Sequence, residues 1–165
     1  MQKQLCPCGS QLPYATCCEV LHLKPEQAAT AEALMRSRFS AFYLNKAAYL
    51  VETLHPSKRA DDEYEQVRRS IANTQWLSLR ILKASSKSVE FVAFYRARAE
   101  HSSPINFAQL HEQSNFVFEH QRWFYLDGKQ LPAIKIGRND DCPCASGLKY
   151  KRCQHSQLLE RPNSS

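Results

Sequence analysis

The spacing of seven cysteines constrains this chain more than any other feature. They stand at positions 6, 8, 17, 18, 142, 144 and 153 of 165 residues, with none in the 123 residues between Cys18 and Cys142. The two groups are copies of one unit. Cys6-Pro7-Cys8-Gly9-Ser10-Gln11-Leu12-Pro13-Tyr14-Ala15-Thr16-Cys17 aligns without gaps on Cys142-Pro143-Cys144-Ala145-Ser146-Gly147-Leu148-Lys149-Tyr150-Lys151-Arg152-Cys153, with seven identities in twelve positions. An odd number of cysteines and a start without an apolar leader argue against a disulfide framework and for a cytoplasmic location. A Cys-Pro-Cys run is also too cramped for a relaxed bridge between its own two sulfurs.

Metal binding fits the pattern. Structural zinc takes four thiolate or imidazole ligands in a tetrahedron. Cys-Pro-Cys supplies two of them from a tight turn, with the proline fixing φ between them. Gly9 lets the backbone bend around an ion and turn amide hydrogens toward sulfur. Eight residues then separate the second and third cysteines, room for a turn and a short helical stretch. The shared leucine and tyrosine are expected to cover the metal's outer face. In the first module the fourth ligand is most simply Cys18, with His22 as the alternative. In the second it is His155, with Gln154 intervening, which requires any helix to end there. A unit this small folds only with its ion, so two structural zinc sites are expected, one at each end of the chain.

These residues carry a resemblance. Cys-Pro-Cys-Gly-Ser-x-x-x-Tyr-x-x-Cys-Cys, and its second copy preceded by Gly137-Arg138-Asn139-Asp140-Asp141, are similar to the SEC-C zinc motif that closes the preprotein-translocase motor SecA. The resemblance implies zinc at Cys6, Cys8, Cys17 and Cys18, and at Cys142, Cys144, Cys153 and His155. Ala145 in place of glycine and the inserted Gln154 depart from the motif. Two such copies around about a hundred residues resemble the YchJ-like family of bacterial proteins.

Between the copies the periodicity changes once. From Pro25 to about His55 the pattern is helical, with Leu34, Met35, Phe39, Phe42 and Tyr43 at intervals of three and four. Asn45-Lys46 is expected to break or kink it, and His55-Pro56 to end it. Asp61 to Asn73 reads as a further helix, acidic first and basic late. After Asn73 the period becomes two: Trp76–Leu82 and Val89–Arg98 are expected strands around Ser85-Ser86-Lys87. Phe107–Glu119 and Trp123–Leu126 follow, with Asp127-Gly128 turning the chain. Helices followed by antiparallel strands give the α+β class. With Met35-Arg36-Ser37-Arg38-Phe39-Ser40-Ala41-Phe42 at its start, this segment resembles the cone-shaped fold of nuclear transport factor two and the ketosteroid isomerases. The expected organisation is a zinc module at 1–24, the cone-like domain at 25–134, a second module at 135–160 and a loose tail at 161–165.

Function is read less directly. No apolar run reaches membrane-spanning length. Seven thiolates (−7) and two zinc ions (+4) would take the formal charge from +6 to +3, a weak bias spread among acidic residues, so nucleic acid or ribosomal RNA ranks last among partners. A pocket in the cone would be lined by Phe94, Tyr95, His111, Phe116 and Trp123, and would suit a small molecule or isomerase-type chemistry. The bland reading, that these aromatics fill the core, is favoured. His111 and Glu112 are neighbours on a strand, face opposite ways and make no dyad. With no nucleophile elbow, phosphate loop or hydrolytic metal motif, the chain is read as a protein-interaction module rather than an enzyme. The SecA resemblance implies a chaperone, ribosome or secretion-related partner by analogy.

Overall fold

A computed structural model describes residues 4–97 and 107–153. After the first cysteine cluster come α1 (Cys18–Leu23), α2 (Ala31–Tyr43), α3 (Ala47–Glu52) and α4 (Glu63–Asn73), then β1 (Thr74–Ala84), β2 (Ser88–Ala97), β3 (Ala108–Glu119) and β4 (Arg122–Gln130). The strands form one antiparallel sheet in the order β1-β2-β3-β4. No helix among the described residues is long and apolar enough to cross a membrane.

The helical segment starts later than its pattern predicts. Pro25–Gln27 is a 3-10 turn, and α2 begins only after Thr30, whose hydroxyl accepts the Ala33 amide at 3.0 Å. Its end matches the expected break: Asn45 takes φ 58°, and the Lys46 amide returns to the Ala41 carbonyl at 2.8 Å. That pairing around a left-handed residue closes the last turn. α2 is buried on almost every side, with Ala31, Leu34, Met35, Ser37, Arg38, Phe39, Ser40 and Ala41 all inside. The sheet and α3 cover part of it, and the first cysteine module covers the rest.

Two side chains of α2 leave it in different directions. Arg36 donates to the Cys8 carbonyl at 2.9 Å. Arg38 is buried and donates to the Leu50 carbonyl at 2.8 Å and to Thr53 Oγ1 at 2.5 Å. Its guanidinium lies 4.8 Å from the centre of the Tyr125 ring. Burial lowers its pKa to about 10, so it stays charged at neutral pH, held by a helix-end carbonyl and a ring face.

The β3–β4 hairpin turns at His120-Gln121, both left-handed (φ 50° and 61°), as a two-residue loop requires. Asp127-Gly128 does not turn the chain: Gly128 lies within β4, opposite Ser114. Glycine is needed there for space, because the Glu112 carboxylate occupies the volume that a Cβ would fill. The far edge of β4 is closed by residues 53–55, with Tyr125 donating to the Thr53 carbonyl at 2.9 Å and His55 donating to the Tyr125 carbonyl at 2.8 Å.

The sheet has two covered faces. The helix side carries Leu79, Val89, Phe91, Ala93 and Phe116 into the main core. On the outer side Leu77, Val92 and Phe94 are buried under Phe107, Ile134 and Ile136. Ile134 and Ile136 belong to a strap that follows β4. Gln109 clamps the strap in both directions, donating to the Ile134 carbonyl at 2.9 Å and accepting its amide at 2.8 Å. His111 adds contacts to the Pro132 carbonyl at 2.6 Å and to Glu90 at 3.0 Å.

Candidate metal centres

The strap delivers the second cysteine cluster to the sheet, and α1 fastens the first to the helices. In the first cluster the sulfurs of Cys6, Cys8, Cys17 and Cys18 all lie within 4.8 Å of one another. In the second, those of Cys142, Cys144 and Cys153 do the same. His155 lies outside the described residues. Each donor set is thiolate-rich and closely gathered, and fits one soft or borderline metal ion.

The duplication in sequence is a duplication in backbone. The Cys6 amide donates to the Leu12 carbonyl at 2.8 Å, and the Cys142 amide to that of Leu148, also at 2.8 Å. A 3-10 turn, Tyr14–Thr16 or Tyr150–Arg152, stands where a short helical stretch is expected. Two positions per copy are left-handed: Gly9 (φ 79°) and Gln11 (φ 64°) in the first, Ala145 (φ 61°) and Gly147 (φ 78°) in the second. Each module therefore has one glycine where one is wanted and one residue with a Cβ, in exchanged places. Ala145 departs from the motif without departing from its backbone, at a cost of about 1–2 kcal/mol.

The shared serine has a role that the pattern alone does not disclose. Ser10 Oγ sits 3.2 Å from Cys17 Sγ, and Ser146 Oγ 3.3 Å from Cys153 Sγ. Each hydroxyl also accepts the amide of the following leucine at 3.3 Å. Its identity in both copies was the available signal. The shared leucines are only half covered, at 52% and 49% exposed for Leu12 and Leu148. Tyr14 does pack against the first cluster. Gly9's own amide bonds the Cys6 carbonyl at 3.3 Å, and the amide turned toward a sulfur is that of Cys8, on Cys6.

Adjacent Cys17 and Cys18 reach one point because the chain kinks between the 3-10 turn and α1, with Cys17 at φ −124°, ψ −105°. His22, the alternative ligand, is engaged elsewhere: one ring nitrogen meets the Tyr14 hydroxyl at 2.7 Å and the other the Ser37 carbonyl at 2.8 Å. Burial holds its pKa below the usual histidine range. The neutral ring thus donates from Nε2 to Ser37 and accepts at Nδ1 from Tyr14. Ser37 in turn bonds the Tyr49 hydroxyl at 2.6 Å. Ser40, on the same helix, lies 3.5 Å from Cys6 Sγ.

Thiols this close cannot all ionise unaided. The bonds from Cys18 and Cys8 hold Cys6 far below the ordinary thiol range, and the bond to Cys6 drives Cys18 far above it. In the second cluster burial, above all, pushes Cys142 up to about 12. A divalent cation relieves that conflict by replacing the shared protons.

Both modules lean on the same stretch of β1, an edge strand. Gly9 approaches the Leu79 carbonyl. Ser78 donates to the Pro143 carbonyl at 2.6 Å, and Arg80 donates to the Asp141 carbonyl.

The five proposed pocket residues do not converge. Phe94 and His111 are on the outer face, under or against the strap. Tyr95 packs against Trp76 at a tilt, ring centres 5.1 Å apart, and Phe116 and Trp123 belong to the helix-side core. The alternation along β2 and β3 separates them. Glu112 faces the helix side, where it accepts from Ser114 at 2.7 Å and Tyr125 at 3.1 Å. A cleft of about 310 Å³ lies elsewhere, lined by Asn45, Ala47, Arg68, Ile71 and Ala72.

Comparison with known proteins agrees with this architecture. Residues 30–128 match the family model for the middle NTF2-like domain of YchJ, and residues 3–19 and 138–155 match the SEC-C motif. A UPF0225 protein of Vibrio cholerae is 40% identical over 148 residues, covering 90% of this chain and 97% of its own. One from Enterobacter is 39% identical over 153 residues, covering 91% and 97%. The solution structure of a SEC-C motif containing protein from Rhodopseudomonas palustris superposes with a TM-score of 0.67 at 32% identity, over 78% of this chain and all of that one. A second such protein, from Psychrobacter arcticus, gives 0.58 at 27% identity, over 91% and 94%. A four-stranded antiparallel sheet backed by helices, with a SEC-C unit at either end, places the chain in the YchJ family.

Proposed function

We propose that the protein is a cytoplasmic, zinc-stapled interaction module. Cys6, Cys8, Cys17 and Cys18 would hold one ion, and Cys142, Cys144 and Cys153, with His155 as fourth ligand, the other. Zinc in such closed sites supplies folding energy and no open coordination position. The cysteines gather the ion, the serines orient the third sulfur of each copy, and Ser40 steadies Cys6. One observation carries the interaction reading. The same leucine is exposed in both copies, at 52% and 49%, on backbones that match bond for bond. Side chains this exposed are open to a protein partner.

Two measurements test the two halves of this reading. Native mass spectrometry of protein purified without added metal should find two zinc ions per chain, and a weakened second ion in His155→Ala. A chain that carries no zinc refutes the metal reading. Photo-crosslinking in cells from positions 12 and 148 should then capture the same protein from both, and not from the exposed control Leu82. Equal capture from all three positions refutes the docking reading.

A further inference from the structure

In both modules the third cysteine is the least buried of the set. Cys17 and Cys153 are half-buried, whereas Cys6, Cys8, Cys18, Cys142 and Cys144 are each no more than 5% exposed. The second cysteine stands beside it in each case: Cys8 Sγ lies 3.7 Å from Cys17 Sγ, and Cys144 Sγ 3.4 Å from Cys153 Sγ. Cys18 is farther from Cys17, at 3.9 Å, and joining adjacent residues would close a strained ring. Beside each exposed sulfur stands a serine hydroxyl, Ser10 or Ser146, at 3.2 and 3.3 Å.

From this duplicated arrangement we infer that Cys17 and Cys153 are peroxide-reactive sites, and that their oxidation closes Cys8–Cys17 and Cys144–Cys153 disulfides that expel the metal. The inference rests on the zinc reading above. The oxidant class is a hydroperoxide, with hydrogen peroxide the simplest member. The exposed sulfur attacks one peroxide oxygen and becomes a sulfenic acid as hydroxide leaves. The serine hydroxyl places a proton beside that departing oxygen. The neighbouring sulfur then displaces the sulfenic oxygen as water and forms the S–S bond. In sum, two thiols and one hydrogen peroxide give one disulfide and two waters. When both sulfurs start as thiolates, two protons come from solvent. A tetrahedral site that loses two of its four ligands releases its ion. Burial of the remaining cysteines explains why oxidation starts at one position, and the short gap to the second cysteine explains where it ends.

The test uses the full-length wild-type chain, with zinc counted before oxidation. Hydrogen peroxide is added in sub-stoichiometric steps, free zinc is read with a chromogenic indicator, and thiols are tagged with isotope-coded alkylating agents. Expected first are losses of free thiol at Cys17 and Cys153, then at Cys8 and Cys144, with about one zinc released per disulfide. Peptide mapping should find Cys8–Cys17 and Cys144–Cys153. In Ser10→Ala with Ser146→Ala, which keeps every ligand, oxidation of Cys17 and Cys153 should slow by about threefold or more when variant and wild type are compared with both sites first filled with zinc. First oxidation at Cys6 or Cys142, a Cys6–Cys18 bridge, or full zinc retention after disulfide formation each overturn the inference. Protein that starts without zinc overturns the zinc reading instead, and the order of thiol loss still reports on the sites.

Discussion

The two modules repeat one another almost bond for bond, yet they are fastened in opposite ways. The first is built into the helical core: Ser40 touches Cys6, Arg36 reaches the Cys8 carbonyl, and His22 ties Tyr14 to Ser37. The second hangs from the outer face of the sheet on Ser78, Arg80 and the strap. Twelve residues of matching spacing are enough to set the local shape. What the loss of that shape does to the rest of the molecule depends on the surface beneath it.

Ligand removal breaks the comparison most severely. Cys18→Ser should lower global stability by about 3 kcal/mol or more, a melting shift on the order of 10 °C, because α1 and α2 lose their anchor with the ion. Cys144→Ser should move the same transition by less than half as much. Equal shifts in calorimetry would mean that the strap transmits as much as the helices do. His22→Ala comes next, at about 1–3 kcal/mol for the Tyr14 hydroxyl and the buried Ser37 carbonyl left unmatched, and native mass spectrometry should still count two zinc ions. Loss of an ion there would make His22 a ligand after all.

Ser40→Ala should weaken the first site about tenfold in chelator competition, with no change in the second, since it removes a bond to a ligating sulfur. Gln11→Gly and Ala145→Gly should each stabilise their own module by about 0.5–1 kcal/mol, relieving one left-handed Cβ apiece. A gain in one module only would show that the matching backbones are not equally strained. The smallest effect concerns the strap. The Pro132 carbonyl, and after it Glu90, raise the His111 pKa against the opposing effect of burial. A raised value means that the fastening is complete below about pH 6.5 and is lost as pH rises through the folded value. Amide exchange of residues 131–137, corrected for intrinsic rate, should quicken from pH 6 to pH 8.5 while α2 is unaffected.

The cysteine clusters were legible because metal ligation dictates residue type and spacing together. The strands were legible because alternation is a local property. Asp127-Gly128 misled because the dipeptide usually signals a turn, whereas here the glycine makes room for Glu112, a contact between strands that no local window contains. The proposed pocket failed for a related reason: Phe94 and Phe116 have the same chemistry, and only the register decides which side of the sheet each faces. Leu12 and Leu148 were expected to cover the metal's outer face, yet each stands about half exposed, as apolar residues do in units too small to have an interior. The strap escaped notice because Ile134 and Ile136 are two apolar residues in an irregular segment, and what they cover lies more than twenty residues upstream.

Ser78, Leu79 and Arg80 sit on the outermost strand of the sheet, and a protein module presses on that strand from either side. A bare outermost strand is an invitation to pair with another chain. Light scattering during chelation reads the consequence directly: stripped protein should clump while the metallated form stays clear, and no clumping would acquit the strand. On this view metal shortage would not leave an idle protein waiting to be refilled. It would convert each molecule into a seed for its neighbours, so that a bound metal would guard against self-assembly as much as fasten shape.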